Sequence, residues 1–324
     1  MKYTFNITTS GDDLSRFADE RDFCRHLRGF DGVELMYFGE DEKHIIPADS
    51  VLGLHMSYHM DWLDFWKHDE PALIREYDDL ETCRAEFGGT LDPYRLVEEF
   101  RRDHALAERF GAEYMVYHLS DCSQEETFTY QFRHSDEEVI DAAIEIINTA
   151  TEGMDGTVAL LLENLWLPGL TFTRPEMTKR LLDGIAYPNT GIMLDTGHLL
   201  HTDWSIRTPQ EGIAYIHRML DAHGDLCRSI RGVHLNQSIT GRDCQNTAQN
   251  PPKMGKTYAE RRVQTFCHAF AVDKHQPFCA DGVRELLERI SPEYCTFEFI
   301  SESRQKHAAF LNAQRKALGL TVFE

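Results

Sequence analysis

Residues 191–200 read GIMLDTGHLL: an apolar run stops at Asp195, and His198 follows three residues later. A carboxylate at the end of a buried strand is costly unless something pairs with it. The pattern recurs along the chain. VLGLH ends on His55, YMVYH on His118, VALLLE on Glu163, IRGVH on His234, and YCTFEF carries Glu298. Converging carboxylates repel one another and shift their pKa values upward unless a cation sits among them. Imidazole with carboxylate suits zinc, with manganese, iron or cobalt as the other candidates. These residues therefore predict a metal centre: Asp195 holds an ion, and His198 lies near enough to join it or a neighbouring one.

Such a centre needs a frame that brings distant strand ends to one place. Two further apolar runs, YTFNI (3–7) and GVELMY (32–37), bring the number of candidate strands to eight. Near-continuous apolar strands are what a parallel sheet covered on both faces requires. Helix signals lie between them. Ser135 with Glu138, and Thr208 with Glu211, have the spacing of capping boxes, the second with Pro209 at the first helical position. RRDHALAERFG closes on Gly111, a helix stop. The expected fold is an α/β (β/α)8 TIM barrel formed by residues 1–324 as a single domain, because no linker-like composition splits the chain. Barrel enzymes build their sites at the C-terminal ends of the strands, where the ionisable residues fall.

The bulk composition narrows the partners. A net charge of −21 repels a phosphate backbone, so duplex DNA is a poor substrate for the surface as a whole. No basic and then apolar leader opens the chain, and no apolar run approaches the ~18 residues that span a bilayer. The expectation is a soluble, cytoplasmic protein with no membrane partner. Its eight cysteines include no CxxC and are expected to be reduced thiols.

GIMLDTGHLLHTDWSIRTPQE, IRGVHLNQS, LLLENLW, YMVYHLSD and HMSY together resemble the endonuclease IV (AP endonuclease family 2) branch of the xylose-isomerase-like barrels. The resemblance runs from about residue 51 to 300 and is densest where D-T-x-H, R-T-P-x-E and R-G-x-H-L-N occur in order. It implies three metal groups. One ion would take His55, His118 and Glu163; a second would share Glu163 and add Asp195, His234 and Glu298; a third would take His198, Asp273 and His275. Asp273 and His275 come from the D-x-H of AVDKHQP, a short motif for which His268 or Asp243 could substitute, and which an ordinary helix-to-loop turn would also produce. His59 competes with His55, which is preferred because it directly follows the apolar run.

The chain also departs from that branch. Asn6 stands where the endonucleases carry a histidine, Lys274 replaces an arginine, and two insertions, about 60–92 and 238–268, follow strands 3 and 7. Both should lie over the rim. Trp62, Phe65 and Trp66 of the first could stack on a planar ligand or pack the insertion onto the barrel. Arg242, Lys253 and Lys256 of the second could pair with phosphate or lie in a solvated loop.

The implied activity is a metal-dependent phosphoester hydrolase, a phosphodiesterase with a multinuclear cluster. Its substrate would be a small nucleotide-like molecule, with the nucleotide loop of a cobamide as one candidate, rather than duplex DNA. The alternative is a mononuclear sugar or sugar-phosphate isomerase or epimerase in which Glu163 and Glu298 transfer protons as well as bind the ion. Between one and three divalent ions per chain are expected. A metal-binding barrel without catalysis is a third reading. It is disfavoured because so many costly polar groups at strand ends need a use.

Overall fold

The computed structural model describes residues 1–323. Eight parallel strands close into a barrel in chain order: β1 (Lys2–Thr8), β2 (Gly32–Met36), β3 (Val51–His55), β4 (Tyr114–His118), β5 (Ala159–Glu163), β6 (Thr190–Asp195), β7 (Ile230–His234) and β8 (Tyr294–Phe297). The β1–β8 pairing, with Phe5 opposite Phe297, completes the ring. The expected (β/α)8 barrel is therefore the observed one.

The apolar runs form these strands because both of their faces are covered. β5 is buried at every position. One set of side chains meets the surrounding helices. The other fills the barrel with Tyr114, Val116, Ala159, Leu161, Met193 and Tyr294. Gly53 makes room for this filling: a Cβ there would stand 2.2 Å from Cζ of Tyr114.

The local helix signals are realised. Reciprocal capping boxes join Ser135 to Glu138 and Thr208 to Glu211, and a third joins Thr257 to Glu260. Gly111 ends the helix Arg95–Phe110 in the left-handed region, at φ 70°. Each cap satisfies backbone groups that a helix end leaves without partners.

The segments expected as insertions are helical. Leu63–Trp66, Glu70–Tyr77 and Leu80–Glu86 follow β3, and Gly241–Gln249 and Tyr258–Val272 follow β7. The two touch each other: Arg261 pairs with Asp78, and Tyr77 packs at 4.9 Å from Tyr258. All eight cysteines are free thiols. Among the described residues, no helix is long and apolar enough to cross a membrane.

Candidate metal centre

Five strands end on a candidate site residue: His55, His118, Glu163, Asp195 and His234 are the last residues of β3 to β7. Glu298 stands one residue beyond β8, which is shorter than its apolar run suggested. Strand register lines up neighbours, with His118 opposite Glu163 and Asp195 opposite His234. His198 lies on the helix Thr196–His201, whose first turn is capped by Asp195 itself: the His198 amide donates to its Oδ1 at 2.5 Å. Asp273 is the C-cap of the helix Tyr258–Val272, so the D-x-H motif is a helix-to-loop turn that also enters the site. His275 holds a positive φ of 42° there.

These side chains form three groups whose donor atoms lie within 4.8 Å of one another: His55, His118 and Glu163; Glu163, Asp195, His234 and Glu298; and His198, Asp273 and His275. In the first, Nε2 of His55 and Nε2 of His118 are 3.2 Å apart, and Glu163 Oε2 is 3.3 Å and 3.1 Å from them. In the second, His234 Nδ1 is 3.1 Å from Glu163 Oε1 and 3.2 Å from Glu298 Oε2. In the third, Asp273 Oδ2 is 3.2 Å from His198 Nε2 and 2.8 Å from His275 Nε2. Two donors each ~2.1 Å from one ion at a tetrahedral angle would be about 3.4 Å apart, so this spacing fits a shared cation.

The burial makes the same point. Glu163 is fully buried, and its Oε2 has no hydrogen-bond partner among the described residues. An acceptor-only oxygen left so is strongly destabilised unless a cation meets it. Burial opposes ionisation of Glu163, yet the neighbouring His118 and His234 outweigh it and hold the carboxyl well below its usual range. Asp195 is pushed up to about 7, first by burial, with His198 working against the rise and Glu298 adding to it. Burial also opposes charge on His275, but Asp273 and Glu298 raise it to about 9. The site is a dense set of anions and imidazoles in which positive charge is in demand.

Other groups brace the donors. Asn164 exchanges two bonds with the backbone of Asp195, and Asn236 Nδ2 donates to Asp195 Oδ2 at 2.7 Å. His55 Nδ1 faces the Met56 carbonyl at 3.1 Å, which turns its Nε2 toward the first group. Sequence reasoning missed Glu34, on β2, which lies 2.9 Å from His234 Nε2. Its signal is a carboxylate within the apolar run VELM. The ring of Trp166 sits 5.2 Å from that of His198, and Tyr58 sits 4.3 Å from His118.

Several alternatives fall away. His59 pairs with Glu99 at 2.8 Å and belongs to none of the three groups. His268 packs against Phe128, and Asp243 is exposed. Trp62 and Phe65 are taken up in packing. Trp62 is buried with its indole donating to the Ser120 carbonyl, and Phe65 stacks on Phe87 at 3.6 Å. Trp66 donates its indole N–H to Glu145 at 3.1 Å. The first insertion therefore uses Trp62 to fasten itself to the segment after β4 and Phe65 to pack internally against Phe87. Arg242, Lys253 and Lys256 are exposed. Asn6 accepts the Phe299 amide at 2.9 Å, closing the rim between β1 and the segment after β8.

Comparison with known proteins places this architecture. No curated protein matches the chain in sequence. Among solved structures, a D-tagatose 3-epimerase-like protein superposes with a TM-score of 0.52 at 15% identity, covering 98% of this chain and 97% of its own. A D-allulose 3-epimerase from Methylomonas sp. gives 0.44 at 13% identity, covering 99% and 92%. A xylose isomerase-like TIM barrel protein from Mycobacterium smegmatis, in complex with magnesium, gives 0.46 at 15% identity, covering 98% and 97%. At 15% identity the first of these shows a likeness of fold alone. The sequence itself matches the family described as Xylose isomerase-like TIM barrel over residues 22–264, most of its length, and the chain belongs to that family.

Proposed function

We propose that the chain is a metal-dependent phosphoester hydrolase acting on a small nucleotide-like phosphodiester through a multinuclear centre. One observation carries this reading. Glu163 turns its two oxygens to different partners, Oε2 to His55 and His118 and Oε1 to His234. A carboxylate so placed could serve two ions at once. The group of His198, Asp273 and His275 then offers a third position beside them.

Divalent ions held there would supply Lewis acidity, lowering the pKa of a water and neutralising phosphoryl charge. The protein's part is to hold the donors. His55, His118 and Glu163 face one position; Glu163, Asp195, His234 and Glu298 face the next. Glu298 lies between the second and third groups, 3.2 Å from His234 Nδ1 and 3.4 Å from His275 Nδ1. Burial works against its charge, but His234 and His275 hold its carboxyl well below the usual range, so it stays an anion available to an ion. A net charge of −21 argues for a compact substrate and against duplex DNA.

A second reading has its own support. Glu163, Asp195, His234 and Glu298 are by themselves a complete single-ion group, with two carboxylates available for proton transfer as in a sugar isomerase or epimerase. Metal content per chain separates the two. Elemental analysis of protein purified without chelator or metal-binding tag is expected to find two or three ions, most plainly zinc, together with hydrolysis of nucleotide-like phosphodiesters, cobamides included in the panel. One ion per chain, with turnover of ketoses or their phosphates, would overturn the hydrolase in favour of the epimerase.

A further inference from the structure

The second donor group contains one histidine, and what holds that histidine lies on the far side of the barrel. His234 ends β7, and its Nδ1 faces Glu163 and Glu298. Its other nitrogen, Nε2, is 3.0 Å from Oε2 and 2.9 Å from Oε1 of Glu34. With an ion taking the Nδ1 lone pair, the proton of this imidazole is left to Nε2, where Glu34 can accept it.

Glu34 is itself held. It is 1% exposed. The Tyr114 hydroxyl donates to its Oε2 at 2.9 Å, and Thr296 Oγ1 donates to the same oxygen at 3.0 Å. Thr4 Oγ1 reaches Thr296 Oγ1 at 2.9 Å. These residues come from β1, β2, β4 and β8, so the network spans the barrel interior directly beneath the donors. β2 and β7 are not neighbours in the barrel; β1 and β8 lie between them. The bond from His234 to Glu34 is therefore a cross-barrel brace, and no main-chain pairing can substitute for it. A buried carboxylate here is costly unless each oxygen has a use.

We propose that Glu34 is a positioning residue for the metal centre: it fixes the ring orientation and the tautomer of His234, and so presents Nδ1 to the ion shared with Glu163, Asp195 and Glu298. This rests on the reading of those residues as metal ligands given above. Outer carboxylates that orient a ligating histidine typically change metal affinity about 10- to 100-fold when removed. Tyr114, Thr4 and Thr296 act one step further out, by holding Glu34.

The test is titration of the metal-free full chain with cobalt(II) and zinc, for the wild type, Glu34→Gln and Glu34→Ala. Glu34→Gln keeps the shape of the side chain while removing its charge, and guards against misfolding of the alanine variant. The expected result is a loss of about tenfold or more in affinity for one ion per chain in Glu34→Gln, larger in Glu34→Ala, with a changed cobalt absorption spectrum. Nitrogen-15 shifts of His234 should show the Nε2-protonated tautomer in the wild type and a mixture in Glu34→Ala. A folded Glu34→Gln with wild-type affinity, stoichiometry and spectrum would overturn the role of Glu34 and leave the metal reading intact. A wild-type chain that takes up no cobalt or zinc would instead overturn the metal reading itself.

Discussion

His55 and His118 bring their Nε2 atoms to 3.2 Å from each other, with one buried oxygen of Glu163 facing both. His55 Nδ1 is engaged by the Met56 carbonyl, so its Nε2 is the free lone pair in the neutral ring. Two imidazoles and a carboxylate oxygen meeting at a point need a positive charge between them. A divalent ion would meet that need with all three groups used at once.

Glu163 is the residue on which most of the centre depends, because it belongs to two of the three groups. Glu163→Ala is expected to lose bound metal and to lower activity by at least ~10²-fold, more than removal of an outer residue does. Elemental analysis and turnover on the same preparation check this. Full metal content with full activity in that variant would falsify the site as drawn.

His118→Ala and His275→Ala remove donors from the first and third groups without touching the second. With a multinuclear centre, each variant should lose about one ion per chain and most of its activity. If the centre is mononuclear, both variants retain the ion. Metal counting on the two purified variants distinguishes these outcomes.

Stability should depend on metal. Ions that bind only the folded chain stabilise it by about 2.7 kcal/mol at 100 times their Kd. Dialysis against a chelator is expected to lower the unfolding midpoint, and added zinc to restore it. Calorimetry of Glu163→Ala should show no such shift on chelation.

Acid should weaken the fold at a place far from the centre in sequence. His26 Nε2 and His307 Nδ1 are 2.9 Å apart, joining the helices Glu20–His26 and Arg304–Ala317. Burial, followed by the charge of Arg304, pushes His26 down to about 4 from its ordinary 6.5. Burial, then His26, pushes His307 down to about 3. A depressed histidine pKa means that the unfolded chain takes up the proton first. The His26 contribution is therefore complete above pH 6.5 and is lost as pH falls toward about 4. The loss is of the order of 3 kcal/mol for a shift of this size. Denaturant unfolding between pH 7 and pH 4.5 should show it, and replacing both histidines with leucine should remove that part of the slope.

The first insertion should matter for folding and leave metal binding alone. Phe65 is fully buried and stacked on Phe87 at 3.6 Å. Phe65→Ala is expected to destabilise by about 3–5 kcal/mol. Metal content of the folded fraction should stay at the wild-type value. A large change in metal content with little change in stability would mean that the insertion serves the site directly.

Most of the candidate donors are legible in the amino-acid sequence. An apolar run ending in a histidine or carboxylate is a local signal, and VLGLH, YMVYH, VALLLE, GIMLD and IRGVH each carry it within a few residues. Capping boxes at Ser135 and Thr208 are equally local, because each is closed by a residue three positions on. Aromatic residues in the first insertion are ambiguous for the opposite reason. Whether Trp62 stacks on a ligand or donates to the Ser120 carbonyl depends on a segment 58 residues away.

The amino-acid sequence by itself determined the number of strands, their order and the histidines and carboxylates at their ends, because hydrophobic period and strand-end chemistry act over short stretches. Only the tertiary structure decided how those donors pair. Glu163 points its two oxygens at different histidines, and Glu34 reaches His234 across the barrel over a separation of 200 residues. No local pattern encodes such contacts. They exist because closing β1 onto β8 brings strands that are not neighbours to face each other across one filled interior.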